Sequence, residues 1–310
     1  MISKNSKIYV AGHNGMVGSA ILRKLKDFGF KKLLLKNSSQ LDLRNQNSTY
    51  KFLKNKKPDV IFIASAKVGG ILVNQKHGAY FISDNLSIQN NLIIGSFKYK
   101  VKKLIFLSSS CAYPKDAPRP LKEKYFFQGN LEETNAPYAV AKLAGMKLCE
   151  SFNEQYKTEF KTLVPCNLYG ENDNFDLKSS HFFPALLRKI HNFKCGKTKY
   201  VKLWGNGLAK RELMHVDDLA EAAIYFMKKK TKHNYINIGT GKQFTILQYA
   251  KEICRYLKVK PNFKFDTTKP NGMKTKVLDV SLAKNLGWKS KISLKSGIDR
   301  AYDYFINNHK

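Results

Sequence analysis

The sequence has no run of eighteen uncharged apolar residues, the length that a membrane-spanning helix requires, so a transmembrane segment is excluded. It has no apolar stretch near its start, where Met1 to Lys7 leads directly into the strand-like run at Ile8, so we expect no secretory signal. The five cysteines are an odd number and include no CxxC pair, so neither a disulfide framework nor a zinc cluster is indicated. These absences predict a protein of the reducing cytoplasm without a bound metal.

Acidic residues are scarce: 23 Asp and Glu stand against 55 Lys and Arg, which gives a net charge of +32. An excess of this size would suit a nucleic-acid or anionic-surface partner. The lysines are scattered along the whole chain, however, as at residues 31–32, 54–57 and 228–230, and they form no separate basic arm. This distribution favours a general compositional bias over a nucleic-acid or membrane partner. What remains is the expectation of a cleft that favours a polyanionic ligand.

Short apolar runs alternate with helix-length segments through most of the first 240 residues. Continuous apolar strands separated by helices are typical of a parallel sheet that is covered on both faces. We therefore predict an α/β fold built on a doubly wound parallel sheet. The predicted strands lie at residues 7–11, 33–35, 60–64, 104–108, 162–164 and 235–238. The first predicted helix follows the glycine-rich turn and ends at about residue 28, and the other predicted helices lie at about 47–55, 80–99, 137–157 and 216–230.

The alternation becomes irregular past Gly170. We expect residues 1–170 and about 215–240 to form a nucleotide-binding domain. Residues 171–214 and 241–310 would then form a smaller substrate-binding lobe, assembled from separated pieces of chain.

A glycine-rich turn follows the first strand and opens the first helix. Glycines at this spacing let the backbone turn tightly and approach a pyrophosphate, and the helix N-terminus supplies amide donors. The position between a first strand and a first helix makes a dinucleotide site the favoured interpretation over an ordinary turn. The candidate cofactor-binding residues of the turn are Gly12, Asn14, Gly15, Met16, Val17 and Gly18.

The second strand ends in Leu35-Lys36-Asn37-Ser38, without the carboxylate that would bind an NAD ribose. A lysine at this place suits a 2′-phosphate, so Lys36 favours NADP over NAD. Asp42 lies further on and is a candidate partner for the adenine amino group.

Tyr138 and Lys142 lie four residues apart, hence on one face of a predicted helix. The ammonium can lower the phenol pKa and bind a nicotinamide ribose, and the phenol can then protonate a carbonyl oxygen as hydride arrives. Ser109 follows the fourth strand, at the sheet edge where doubly wound folds bind ligands, and its hydroxyl can polarise the same carbonyl. Together these residues predict a carbonyl reductase.

The glycine turn combined with Tyr138 and Lys142 resembles the extended short-chain dehydrogenase/reductase superfamily, which has the Rossmann fold and a smaller C-terminal substrate-binding lobe. Over nearly its whole length the chain resembles one family within it, the GDP-L-fucose synthases, which are GDP-4-keto-6-deoxymannose 3,5-epimerase-4-reductases. The strings that carry this resemblance are Gly12-His-Asn-Gly-Met-Val-Gly-Ser19, Ala64-Ser-Ala-Lys-Val-Gly-Gly70, Ser109-Ser-Cys-Ala-Tyr-Pro114, Pro137-Tyr-Ala-Val-Ala-Lys142, Asn167-Leu-Tyr-Gly170, Asp173-Asn-Phe175, residues 181–187 and His215-Val-Asp-Asp218.

The resemblance implies a role for each matching residue. Ser109, Tyr138 and Lys142 correspond to the family's reductase triad, which works with hydride from NADPH at C4. Cys111 and His181 correspond to its acid/base pair, which can invert C3 and C5 because the 4-keto group acidifies their protons. From the residues alone, Cys111 is open to interpretation as a buried small side chain and His181 as a capping or core histidine.

The resemblance also implies binding residues. Cofactor positions in the family correspond to Lys142, Asn167, Leu168 and His181, in addition to the glycine turn. Positions that contact the nucleotide-sugar correspond to Lys189, Trp204 and Arg211, and an arginine suits a diphosphate because it offers several donors and keeps its charge.

Three residues depart from the family pattern. Asn14 and Ser38 stand where the family has arginines beside the adenine ribose phosphate, which leaves the choice between NADPH and NADH open despite Lys36. Asn271 stands where the family has an aspartate in the substrate lobe. That substitution is compatible with a changed sugar, such as a dideoxy sugar or a heptose, and equally with no functional change.

The sequence therefore predicts a reductase of a GDP-4-keto sugar that also epimerises C3 and C5. One alternative is a C4-reductase that relies on a separate epimerase. The other alternative is a non-catalytic nucleotide- or nucleic-acid-binding protein. The presence of Ser109, Tyr138 and Lys142 together argues against it.

A homodimer is the expected assembly, because the helices near 80–99 and 137–157 correspond to those that form the superfamily's dimer interface. The candidate interface residues are Ile82, Leu86, Leu92 and Ile93. Burial within the monomer is the alternative interpretation for them.

Overall fold

The computed structural model describes residues 2–268 and 274–309. Its strands are β1 (Ile8–Ala11), β2 (Leu33–Leu34), β3 (Val60–Ile63), β4 (Lys103–Leu107), β5 (Phe160–Pro165), β6 (Asn167–Tyr169), β7 (Val201–Trp204), β8 (Lys210–Arg211), β9 (Leu213–His215), β10 (Tyr235–Ile238), β11 (Phe244–Thr245), β12 (Phe263–Asp266) and β13 (Thr275–Lys276). Its helices are α1 (Met16–Asp27), α2 (Gln46–Lys56), α3 (Ile71–Lys76), α4 (Gly78–Lys98), α5 (Ala136–Tyr156), α6 (Phe182–Lys194), α7 (Val216–Lys228), α8 (Ile246–Leu257), α9 (Ser281–Asn285) and α10 (Leu294–Asn308).

The main sheet consists of parallel strands in the spatial order β2-β1-β3-β4-β5-β10. Each predicted strand is present in it, with ends that differ from the prediction by at most two residues. The strand order reverses between β1 and β3, which opens a crevice at the carboxyl ends, where doubly wound sheets bind ligands. The predicted fold class is therefore confirmed.

Helices cover both faces of this sheet. Helices α2, α4 and α5 pack together on one face, and α1 packs with α7 on the other. Apolar side chains between these layers form the larger core, and a second apolar cluster lies among α6, α8 and α10. Val280, Ala283 and Trp288 pack in the larger core although they lie in the range expected for the second lobe. The domain boundaries stay a prediction.

Two of the candidate interface residues on α4 are misassigned. Leu92 and Ile93 are fully buried in the larger core, because the inward stripe of α4 packs on the sheet and its covering helices. Ile82 and Leu86 are half-buried. Within the described residues, we find no helix with the length and apolarity needed to cross a bilayer.

A buried carboxylate connects two distant segments beside the sheet edge. Glu212 directly follows β8 and is 1% exposed. Its side chain accepts hydrogen bonds from the backbone N–H groups of Thr240 at 2.6 Å, Gly241 at 2.7 Å and Leu278 at 2.7 Å. Burial raises the pKa of this carboxyl, whereas these donors lower it. Glu212 thus joins the loop after β10 to the segment that follows β13.

We expect Glu212→Gln to lower the free energy of unfolding by about 2 kcal/mol, because the new NH₂ group replaces an acceptor opposite a backbone donor. Urea unfolding measures this loss. Glu252→Gln is the matched control, since it removes the exposed partner of Arg255 on α8, and we expect it to cost no more than about 0.5 kcal/mol. Equal losses in the two variants would contradict the role assigned to Glu212.

Candidate active site

The turn after β1 requires glycine at two positions. Gly12 has a φ of +85°, and a Cβ there would lie 2.8 Å from the Cα of Ser65, in the segment after β3. A Cβ at Gly18 would overlap the carbonyl oxygen of Gly12. At Gly15, the N-cap of α1, a Cβ would meet only that oxygen, at 3.6 Å, so the backbone is open to close approach. This geometry fits a dinucleotide pyrophosphate at the start of α1.

The other predicted cofactor residues of the sheet edge lie in two places. Asn14 is exposed in the turn, and Met16 and Val17 begin α1 with half-buried side chains. Asn167 and Leu168 are half-buried in β6, which follows β5 almost directly and pairs with β9. The turn after β1 and the segment after β5 therefore both leave the carboxyl edge of the sheet.

The expected adenosine end contains an ion pair that was not predicted from the sequence. Lys36 is half-buried after β2, whereas Asp42 is already engaged by Arg44, whose Nε and Nη2 donate to it at 3.0 and 2.9 Å. The hydrogen bond from Arg44 lowers the pKa of the Asp42 carboxyl. Arg44 also lies 3.5 Å from Asp84 on α4. An arginine two residues after an aspartate is a signal for such a pair.

Ser109 and Tyr138 meet at the carboxyl end of β4, where α5 begins. Burial and the neighbouring Cys111 raise the pKa of Tyr138, and a hydrogen bond with Ser109 opposes this rise. Lys142 was expected to lower the pKa of this phenol, but burial has the larger effect and the pKa is raised. Lys142 is buried and donates from Nζ to the carbonyl oxygen of Leu107 at 2.9 Å, and burial lowers its pKa to about 7.

Cys111 lies in the same turn, and its backbone N–H donates to the Ser109 hydroxyl at 3.2 Å. The Nζ atom of Lys276 lies 3.2 Å from its sulfur. Burial raises the pKa of the Cys111 thiol, but Lys276, Ser109 and Arg211 together hold that pKa below its usual value. Cys111 is therefore a polar, charge-stabilised thiol and not an inert core side chain. Lys276 was not predicted, since only the pairing of β13 with β8 brings it here.

His181 is the N-cap of α6, with an exposed side chain. The surrounding protein and the charge of Lys276 lower its pKa. The preceding residue approaches the loop after β3, since a Cβ on Gly70 would lie 3.3 Å from the carbonyl oxygen of Ser180. That loop is held by the buried side chain of Asn85, which accepts from Lys67 N–H at 2.8 Å and donates to Lys67 C=O at 3.0 Å.

The residues expected to contact the nucleotide-sugar lie on the second part of the chain. The Nζ atom of Lys189 lies 5.8 Å from the ring centre of Trp204, which is 41% exposed. The same Nζ atom donates a hydrogen bond to the Lys202 carbonyl oxygen at 2.9 Å. Arg211 ends β8, beside Lys276 on β13. Asn271 lies outside the described residues.

Glu171, His215 and Asp217 bring their ligand atoms together closely enough for a metal ion. Their carboxylates, however, already pair with arginines: Arg23 lies 3.3 Å from Glu171 and 2.7 Å from Asp217, and Arg300 lies 3.3 Å from Asp217. Two guanidinium groups at this cluster favour an ion-pair network between α1, α7 and α10 over a metal site.

Comparison with known proteins gives consistent relatives. Residues 8–239 match the model of the NAD dependent epimerase/dehydratase family. GDP-L-fucose synthase 1 of Arabidopsis thaliana is 42% identical over 308 residues, which are 99% of this chain and 95% of that protein. GDP-L-fucose synthase of Escherichia coli (strain K12) is 41% identical over 311 residues, with 97% of each chain covered. A GDP-mannoheptose C4 reductase from Campylobacter jejuni, solved with NADP bound, superposes with a TM-score of 0.90 at 39% identity, covering 99% of this chain and all of that one.

Proposed function

The chain belongs to the NAD dependent epimerase/dehydratase family, and we propose that its activity is the NADPH-dependent reduction of C4 in a GDP-4-keto-6-deoxy sugar, preceded by epimerisation at C3 and C5. The observation that carries this proposal is the convergence of a hydroxyl, a thiol and a phenol, from Ser109, Cys111 and Tyr138, at the carboxyl end of β4. These groups can protonate a ketone oxygen and take a proton from a neighbouring carbon. The resulting GDP-L-fucose-like sugar would serve as a glycosyl donor.

Reduction needs a proton donor beside the C4 oxygen. Tyr138 suits this step because its raised pKa keeps the phenol protonated at neutral pH. Ser109 would donate a second hydrogen bond to the same oxygen. Bound NADPH supplies the hydride. The turn from Gly12 to Gly18 would hold the pyrophosphate, and Lys36, Lys142, Asn167 and Leu168 would hold the two ends of the cofactor.

Epimerisation needs a base and an acid on opposite faces of the sugar. Cys111 would take the proton as a thiolate, since its pKa is held down. On the family resemblance, His181 would return one from the opposite face. The 4-keto group makes both carbons acidic, because the electron pair left at carbon is delocalised onto the oxygen. In D₂O, the acid and base would exchange their protons with solvent and return deuterium, so C3 and C5 would both become deuterated.

The nucleotide would lie against the second part of the chain. Trp204 offers an exposed aromatic face, and Lys189 beside it and Arg211 at β8 offer cations to a diphosphate. We assign Asn271 to this sugar-binding region on the family resemblance alone.

We also propose a cytoplasmic homodimer formed through α4 and α5. Both helices carry exposed apolar side chains, among them Tyr80, which is 63% exposed, and Val140, which is 42% exposed. Exposed apolar side chains on two adjacent helices are typical of a surface that a second copy covers.

A C4-reductase without epimerase activity is the second candidate. It is favoured by the similarity to a reductase named for GDP-mannoheptose, a sugar one carbon longer than a hexose. Both candidates share the reductase residues and differ in whether C3 and C5 exchange protons.

Tyr138→Phe tests the reduction. We expect NADPH oxidation to fall by about a hundredfold to ten-thousandfold, because the ring remains but no proton reaches the C4 oxygen. NADPH binding, measured by fluorescence titration, should stay within about threefold. Tyr256→Phe, which removes a hydroxyl bonded to Asp299 outside the site, is the matched control and should leave turnover unchanged. Undiminished reduction by Tyr138→Phe would refute the assignment.

Cys111→Ala tests the epimerisation. In D₂O we expect deuterium incorporation at C3 and C5 to fall at least about a hundredfold, whereas reduction of a ketone that is already epimerised persists. NMR of recovered sugar measures both. Cys195→Ala removes an exposed thiol near the end of α6 and should change neither. The acid/base role of Cys111 is wrong if the alanine variant exchanges at the wild-type rate.

Val140→Glu tests the dimer. Light scattering should give the wild-type protein twice the mass of the 35.5 kDa chain and give the variant the mass of one chain, because a buried carboxylate at the interface is costly. Leu208→Glu, at a 61% exposed site outside α4 and α5, should leave the dimer intact. A monomeric wild-type protein would overturn the proposed assembly.

A further inference from the structure

An ammonium group directly contacts the proposed base. The Nζ atom of Lys276 lies 3.2 Å from the sulfur of Cys111, within the distance of a charge-assisted hydrogen bond to a thiolate. Lys276 lies on β13, far along the chain from the turn that carries Cys111. The contact therefore depends on the tertiary fold and is not a local consequence of sequence.

Strand pairing fixes the lysine in this place. Lys276 pairs in register with Arg211 on β8, so two cationic residues stand side by side on neighbouring strands. The N–H of Leu278, two residues after Lys276, donates to the buried carboxylate of Glu212. Strand pairing at Lys276 and this hydrogen bond just after it therefore fix the backbone from which the lysine side chain reaches Cys111.

The groups that face the thiol favour its anion. Lys276 and Arg211 are both positively charged, Ser109 offers a hydroxyl, and Tyr138 is a neutral phenol beside the same sulfur. The groups that shift the pKa of this thiol most are these two cations and the Ser109 hydroxyl, and no carboxylate is among them. A thiol surrounded in this way is a nucleophilic or basic cysteine and not a structural one.

We infer that Lys276 is the positioning residue that keeps Cys111 as a thiolate, ready to accept the C3 and C5 protons. This inference rests on the proposed epimerisation, although the ion pair itself is a property of the ligand-free protein. When the thiolate takes a proton, the C–H bond breaks, the S–H bond forms, and the electron pair moves toward the 4-keto oxygen. Lys276 takes no part in this proton transfer and loses only its anionic partner.

Enzyme activity alone would not isolate this role, because Lys276 also lowers the pKa of His181. The ionised fraction of Cys111 must therefore be measured directly, by the reactivity of its sulfur. Iodoacetamide reacts with the thiolate and releases iodide, so its rate reports the ionised fraction of each cysteine. The intact protein is alkylated for set times and then digested, and peptide mass spectrometry resolves Cys111 from the exposed thiol of Cys195, which serves as an internal reference.

The experiment compares pH profiles of Cys111 alkylation in the ligand-free wild-type protein and in three variants. In the wild type we expect the reaction to persist to lower pH than that of N-acetylcysteine. In Lys276→Gln the rate at pH 7 should fall by about tenfold or more, since a close opposite charge is lost. Lys276→Arg should restore most of the rate. Lys274→Gln removes an equal charge from an exposed position two residues away and should change nothing.

The inference is overturned if Cys111 in Lys276→Gln keeps the wild-type profile. It is also overturned if the wild-type thiol titrates like N-acetylcysteine, a result that requires no variant to fold. Failure of the proposed epimerisation gives a different pattern. In that case Cys111 would still alkylate as an ion-paired thiolate, but Cys111→Ala would not alter deuterium exchange in the sugar.

Discussion

The buried carboxylate of Glu212 is the interaction on which the candidate site depends. It binds three backbone N–H groups from the loop after β10 and the segment after β13. Arg211 precedes it, and Lys276 pairs with Arg211, so the position of both cations relative to Cys111 follows from this one anchor. The loop after β4 supplies Ser109 and helix α5 supplies Tyr138, and Glu212 brings the remaining charges to them.

Burial and charge act in opposite directions within this site. Burial raises the pKa of Tyr138 and lowers that of Lys142, so both side chains tend toward their neutral forms. At Cys111 the cations outweigh burial, so the thiol tends toward its anion. One site can therefore hold a neutral proton donor for the carbonyl oxygen beside an anionic base for the adjacent carbons, which is the pairing that a combined epimerase and reductase requires.

The main sheet and the glycine turn could be predicted from the sequence, because both depend on local patterns. Apolar runs of strand length predicted the sheet, and glycine spacing predicted a turn in which Gly12 and Gly18 admit no side chain. Contacts between distant segments could not be predicted: Glu212, Lys276 and Asn85 act through strand pairing or loop packing that no local pattern specifies. Leu92 and Ile93 were misassigned because an apolar stripe does not tell which partner covers it.

The choice of sugar and the fate of C3 and C5 form the central question about this chain. One reaction with NADPH and GDP-4-keto-6-deoxymannose in D₂O, followed by NMR of the product, tests it most directly. The proposed activity predicts NADPH consumption with deuterium at both C3 and C5. Reduction without deuterium would contradict the epimerisation, and no turnover at all would contradict the proposed substrate.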